Sequence, residues 1–486
     1  MDLASLNDDP TRSTFPYLGS SPQEPRQALS APCADALTSY REEIAERVGM
    51  PAPTAYWLWN MDVSCRWGRS EDSTSKTHAG ARLTVTNDTW PQLGILNRLL
   101  AAHGDVVVEE CGPDDEYDLD LLDVWAEAGI PRRRLSSRRL TTNSPSASTA
   151  LTASSSAGLR RELKQQSASG SPSLLIWFGN DRTEEQLARS TGSLLFGAGA
   201  EASAVCNNKA IVKRWCVELG LATPEGGESH DAAELERLAV PLLNKFGTVA
   251  IKQPYGASGQ GIVLASTIER VRRVLRHAVL ESASGETATR LVEGWYPRAR
   301  SHNSLYVISP AGRVSFLGMT EQVLNEQKYE GSWLLPEALT GNTAELRTAH
   351  LAMARRAFLA GYHGVVGFDS FSSTDGTLFP VVEINARLNM SLYALAAARA
   401  SGAGPVGCLR SYMLKWGHAM QLAPFLDQLG RGKLLQSGRT TGVLPLSFTG
   451  RTTPRSCGLL RFHLLYFGEN RRHVESLRND VEARLR

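Results

Sequence analysis

The run AIKQPYGASGQGI, residues 250–262, decides how the rest of the chain is read. The strand Val249–Lys252 leads into it and delivers Lys252 at its end. A loop rich in small residues follows, with Gly256, Ser258, Gly259 and Gly261. Glycines let backbone N–H groups approach phosphate oxygens closely, and a lysine adds positive charge. The run is not a P-loop, because GxxxxGK[ST] is absent, and it lacks the spacing of a dinucleotide fingerprint. A flexible surface hairpin would account for the same residues, so the choice depends on what lies around them.

The second informative stretch is Gly367–Phe368–Asp369 followed by Glu383–Ile384–Asn385–Ala386–Arg387. Strands are predicted over Val365–Phe371 and Leu378–Ile384, joined by the turn signal Thr374–Asp375–Gly376. Antiparallel pairing about that turn would set Asp369 against Glu383, with Asn385 and Arg387 on the same side by strand alternation. Two carboxylates and an amide oxygen are hard ligands suited to Mg2+ that also bridges phosphates, and Arg387 can grip a carboxylate or phosphate. A hairpin with solvated acids is the plain alternative, but the apolar setting of VVEINARLNM argues against it.

Working outward, helices are predicted over Asn208–Leu219 with Asn207 as cap, Ile268–Leu280 and Ala344–Leu359. Strands are predicted at Thr289–Val292, Ser304–Ile308 and Val314–Met319, the last two joined by the turn Ser309–Arg313. Upstream, Tyr56–Val63, a helix over Trp90–Ala102, and the strands Val106–Glu109 and Leu174–Phe178 suggest an α/β unit. Residues 1–45 read as an extension, and the Ser-rich stretch 136–173 as a mobile loop with little apolar surface to bury.

The order Lys209, Lys252 with its glycine loop, LVEGW around Glu293, Asp369 and then EINAR resembles the ordered motifs of the ATP-grasp superfamily across about 200 residues. The resemblance implies a fold class: an N-terminal pre-ATP-grasp α/β domain, a two-lobed ATP-grasp α+β core and a small C-terminal segment. Expected bounds are 46–200, 201–400 and 401–486. It further implies that Lys209 and Lys252 contact ATP phosphates beneath the Gly256–Gly261 loop, and that Val292, Glu293 and Trp295 form an adenine hinge. Asp369, Glu383 and Asn385 would bind Mg2+, and Arg387 would steady an acyl phosphate or the substrate carboxylate. Where several members carry an acidic ribose contact, this chain has Arg300, Ser301, His302 and Asn303, and His302 is the candidate for that role. The layout is similar to the pheganomycin-type peptide ligases, which join amino acids or peptides in specialised metabolism. The implied activity is an ADP-forming carboxylate–amine ligase with amino-acid or peptide substrates. A different ATP-grasp reaction, such as carboxylation or phosphoryl transfer, or nucleotide binding without turnover, stands as the alternative.

Composition bounds these expectations. A chain of 486 residues, 42% hydrophobic and 21% charged, is too long for one core and close to average for a globular protein. A formal charge of +2 is too small to hold nucleic acid through its phosphates. The seven cysteines are scattered and never form CxxC, which suits reduced thiols in the cytoplasm, and no apolar run is long enough to span a membrane. A homodimer is compatible with this architecture. Three decoys remain: the GxGxxA pattern in Phe196–Ala202, read as a packing turn; the basic GRGK at Gly430–Lys433 with Arg439, read as a solvated loop or anion contact; and the pair Trp57 and Trp59, read as core.

Overall fold

The computed structural model describes residues 32–49, 53–61, 63, 67, 91–111, 120–132, 135–141, 157–256, 259, 261–280, 289–335, 343–415, 420–449 and 459–485. Chain order begins with α1 (Pro32–Val48), β1 (Ala55–Trp57), a 3-10 helix (Pro91–Leu99) and β2 (Val106–Cys111). It continues with α2 (Asp120–Glu127), β3 (Ser136–Thr141), α3 (Ala157–Ala168), β4 (Leu174–Ile176), α4 (Arg182–Thr191) and β5 (Leu194–Leu195). The five strands form one parallel sheet in the order β3-β2-β1-β4-β5. Such sheets present ligand-facing loops beyond the carboxyl ends of their strands. Here those ends lead to Met61 and Phe178, which both line the cavity described below.

Two expectations are corrected in this region. The stretch 136–173 is not one loop: it supplies edge strand β3 and helix α3, which buries Leu159 and Leu163 against the sheet. Two leucines four apart on one face bury enough apolar surface to dock a helix that is otherwise mostly polar. Residues 32–48 are likewise no extension, since α1 packs Leu37, Tyr40 and Ile44 into the largest core. Residues 1–31 and 142–156 lie outside the described residues.

Helices α5 (Ala200–Asn207) and α6 (Lys209–Glu218) then lead into a small antiparallel sheet. That sheet comprises β6 (Gly226–Ser229), β7 (Val249–Lys252), β8 (Ile262–Ala265) and β9 (Arg290–Gly294), in the order β6-β9-β7-β8. Helices α7 (Ala232–Phe246) and α8 (Ile268–Leu280) bury one face around Leu235, Val271 and Val292. The opposite face carries Lys252 and Glu293 toward the cleft, because side chains alternate along each strand.

The large antiparallel sheet contains β10 (Arg298–Ile308), β11 (Val314–Asn325), β12 (Lys328–Leu334), β13 (Gly364–Ser373) and β14 (Leu378–Asn385). Helix α9 (Thr343–Leu359) lies between β12 and β13 in sequence, and α10 (Met390–Ser401) follows β14. The C-terminal region adds β15 (Val406–Lys415), α11 (Leu422–Leu429), β16 (Gly442–Thr449), β17 (Leu459–Gly468) and α12 (Arg471–Arg484). Its strands pair onto β12 to complete eight strands in the order β14-β13-β10-β11-β12-β15-β17-β16. Residues 401–486 therefore extend the core sheet rather than forming a sheet of their own.

Aromatic packing fixes the parallel sheet on this core. Trp59 is 2% exposed and packs at a tilt against Phe178 and Tyr393, with ring centroids 5.1 and 5.9 Å away. Trp57 is equally buried and donates to Asp105. Both tryptophans are core residues. The Phe196–Ala202 turn is a packing element too: Ala198 N donates to His363 O, and Gly197, at φ 85°, lets the chain approach that residue.

Candidate active site

Register does what the sequence pattern required. Asp369 on β13 pairs directly with Glu383 on β14, and Asn303 on β10 pairs with Asp369 from the other side. Asn303 donates to Asp369 Oδ1 at 2.6 Å and Asn385 to Oδ2 at 3.1 Å; Gln322 also hydrogen-bonds this carboxyl. Burial and the neighbouring Glu383 carboxylate nevertheless push the Asp369 pKa up to about 6. Two acids held this close favour a cation between them. With the amide oxygens of Asn303 and Asn385 beside them, the donor set is all oxygen and fits a hard divalent ion. Among the described residues no cluster of three or more His, Cys, Asp or Glu competes for that role.

Arg387 follows on the same segment. Its guanidinium donates to Asn385 Oδ1 at 2.7 Å and lies 5.3 Å from the Phe178 ring centroid. Leu388 N donates to Phe178 O at 2.8 Å, so the end of the parallel sheet pins this turn against the site.

The lysines are held by acids. Lys209 opens α6, is 6% exposed, and reaches Glu383 Oε1 at 3.0 Å and Gly256 O at 3.2 Å. The cap of α6 is Asn208, whose side chain accepts from Ala210 N and Ile211 N. The expectation of Asn207 is corrected, because that residue ends α5 and its Oδ1 accepts from Ala386 N instead. Lys252 pairs with Glu293, and Lys213 reaches the other oxygen of Glu293 at 2.9 Å. Burial alone would raise the Glu293 pKa, but these two ammonium groups outweigh it and hold the carboxyl below the usual range.

The glycine loop lies over this cleft. Gly256, Gly259 and Gly261 have φ of 151°, 79° and 81°, and an added Cβ at Gly259 would sit 2.3 Å from Gln327 O. The loop thus touches the β11–β12 turn directly. Ser258 lies outside the described residues. Between loop and sheets is a cavity of about 190 Å³ lined by Lys209, Lys252, Gly259, Arg298, Asp369, Glu383, Asn385 and Arg387, with Met61, Phe178 and Met390 on its apolar side.

The four residues expected for the adenine hinge and the ribose do not line it. Val292 is fully buried in the core beneath the small sheet, and Glu293 is spent on its two lysines. Trp295 stacks on Arg298, and Gly294 N and Trp295 N already donate to Glu225 O and Thr248 O. The side chains of the expected hinge therefore tie the sheet and cleft together. His302 is corrected more sharply. It neighbours Asn303 along β10 and so points to the other sheet face, where it feels Glu321 and His350; burial lowers its pKa. Its side chain therefore faces away from the cavity.

Lys213, Asn303, Gln322 and Arg298 were not identified from sequence. Lys213 stands four residues after Lys209 on one helix face, a spacing that was legible. The others reach the site only through strand register and the approach of two sheets.

A parallel α/β sheet, a small antiparallel sheet backed by two helices, and a large sheet carrying paired acids across the cleft together make the ATP-grasp fold, and this chain has it. Solved structures with this arrangement include biotin carboxylase from Campylobacter jejuni in complex with β,γ-ATP, at TM-score 0.53 and 14% identity over 80% of this chain and 87% of that one. The biotin carboxylase domain of Hydrogenobacter thermophilus 2-oxoglutarate carboxylase, with MgADP and bicarbonate, gives TM-score 0.50 and 14% identity over 77% and 83%. Among characterised sequences, the butirosin acyl-carrier protein L-glutamate ligase of Niallia circulans is 31% identical over 197 residues. That match spans 40% of this chain and 46% of the relative, so the chain covers about half of the relative's length. No protein-family model matches the chain.

Proposed function

We propose that this protein is an ADP-forming carboxylate–amine ligase that makes an amide bond through an acyl phosphate, with an amino acid as one substrate and an amino acid, peptide or carrier-bound group as the other. The observation that carries this reading is the cleft itself, in which Lys209 and Lys252, each braced by a glutamate, face the Asp369–Glu383 pair beneath a glycine loop. The unit 46–200 would shape the acceptor side through Met61 and Phe178, 201–400 would carry the chemistry, and 401–486 would buttress the sheet.

In this reading ATP occupies the cleft, and Asp369, Glu383 and Asn385 hold Mg2+, which when bound neutralises charge on the phosphate oxygens. Each lysine ammonium has three N–H donors. Lys252 spends one on Glu293, leaving two for phosphate, and Glu293 fixes its direction. Lys209, shared between Glu383 and Gly256 O, couples the acid pair to the loop. The substrate carboxylate attacks the γ-phosphate and ADP leaves; the amine then displaces phosphate from the acyl phosphate. Arg387, anchored by Asn385 and Phe178, is placed to steady the carboxylate or acyl phosphate. The Gly259 contact with Gln327 would exclude water while the acyl phosphate exists.

The name of the Niallia relative puts L-glutamate and an acyl-carrier protein first among substrates to try. The test is ADP and phosphate release with Mg-ATP against pools of amino acids, dipeptides and a glutamate-plus-carrier pair, with mass spectrometry of products. ADP that depends on both acid and amine, with a dehydrated conjugate, supports ligation. Stoichiometric ADP with a carboxylated or phosphorylated product and no amide would replace ligation with the corresponding transfer.

A further inference from the structure

Arg298 is the first residue of β10 and lines the cavity. Its guanidinium is clamped between two rings, 5.0 Å from the Trp295 centroid and 4.7 Å from that of Phe371. Its Nε is shielded from solvent and has no hydrogen-bond partner, and no carboxylate among the described residues ion-pairs with it. The acids around it are engaged elsewhere: Glu383 with Lys209, Glu293 with Lys252 and Lys213, and Asp369 with its amide neighbours. Burial lowers the Arg298 pKa, and of the three acids that oppose this, Asp369 and Glu383 act more strongly than Glu293.

A half-buried guanidinium whose Nε is shielded without an acceptor is unfavourable, and here aromatic packing rather than an ion pair holds it in place. Such an arrangement makes sense where a ligand brings the anion. A planar fork matches phosphate oxygens, and the acids nearest in effect are the ones that fit a phosphate-bridging cation. Resting on the nucleotide reading above, we propose that Arg298 is a catalytic residue that grips the terminal phosphoryl group of ATP, pre-aimed by the Trp295–Phe371 clamp.

The test is titration of the full chain with Mg-ATP and Mg-ADP by calorimetry, beside thermal melts without ligand, for wild type, Arg298→Met and Arg298→Lys. Arg298→Met should weaken ATP at least tenfold and ADP less than twofold, with no loss in ligand-free melting temperature, since it removes a half-buried charge that has no ion-pair partner among the described residues. Arg298→Lys keeps the charge without the fork and should fall between. Equal weakening of ATP and ADP would overturn the terminal-phosphate assignment. Unchanged ATP affinity with a lower melting temperature would make Arg298 a packing residue. If wild type binds neither nucleotide, the nucleotide reading itself falls and this inference with it; wild-type binding that Arg298→Met leaves intact removes the inference alone.

Discussion

Gly259→Ala separates loop closure from loop folding. Gly259 has φ 79°, and its Cβ would lie 2.3 Å from Gln327 O and 2.9 Å from Gln327 C, both backbone atoms that cannot swing aside. A real Cβ essentially never comes within 3.0 Å of such an atom, so loop and turn must part by at least about 0.7 Å. Holding alanine in the left-handed region costs a further ~1–2 kcal/mol. A loop that opened would escape both penalties, so the loss should fall on the closed state. At about 1.4 kcal/mol per factor of ten, the strain alone gives roughly a 5- to 30-fold loss in kcat/KM for ATP, and the clash should carry it toward ~100-fold. Gly438→Ala is the control, since Gly438 has φ 78° and nothing within 4 Å. It should lose about 1 kcal/mol of stability and keep its turnover. Coupled-enzyme ADP assays and urea melts on both variants read the two effects. Gly259→Ala with wild-type kcat/KM, or Gly438→Ala with the same kinetic defect, would refute the reasoning.

Three further expectations concern the charges and the turn. Lys252→Ala leaves Glu293 with Lys213 alone and should nearly abolish turnover while costing about 1–3 kcal/mol in urea melts; Glu383→Ala, which also releases Lys209, should be as inactive. Near-normal ADP release in either variant would remove these residues from the site. The Asp369 pKa is raised on folding, so its contribution is fully present below about pH 4, the unfolded value, and is lost as pH rises through about 6. Ligand-free melting temperature should therefore drop across that window in wild type but not in Asp369→Asn, while the stabilisation by Mg-ATP should grow; parallel profiles would exclude Asp369 as the source. Glu326 sits at φ 55° in the turn that meets the loop, and Glu326→Gly should raise stability by up to about 1 kcal/mol in a denaturant melt, a drop showing that its side chain holds the turn.

Local features around the cleft were legible in the spacing of the chain. Helix α8 falls on the expected bounds Ile268–Leu280, and the Thr374–Asp375–Gly376 turn sets β13 against β14 in the register that joins Asp369 to Glu383. Those features depend on spacing within one segment, which periodicity and turn chemistry fix. The Ser-rich region misled because β3 and α3 are weak in local pattern and gain their order from a sheet edge and from Leu159 and Leu163. His302 misled because adjacent residues on a strand face opposite ways, and only pairing with Asp369 identifies Asn303 as the inward one. Three-dimensional packing alone makes Lys213 and Lys252 share Glu293, sets Arg298 between two rings without an anion, and brings Gly259 to Gln327 across the cleft. These are contacts between segments far apart in the chain, made by the approach of two sheets, and no local spacing carries that distance.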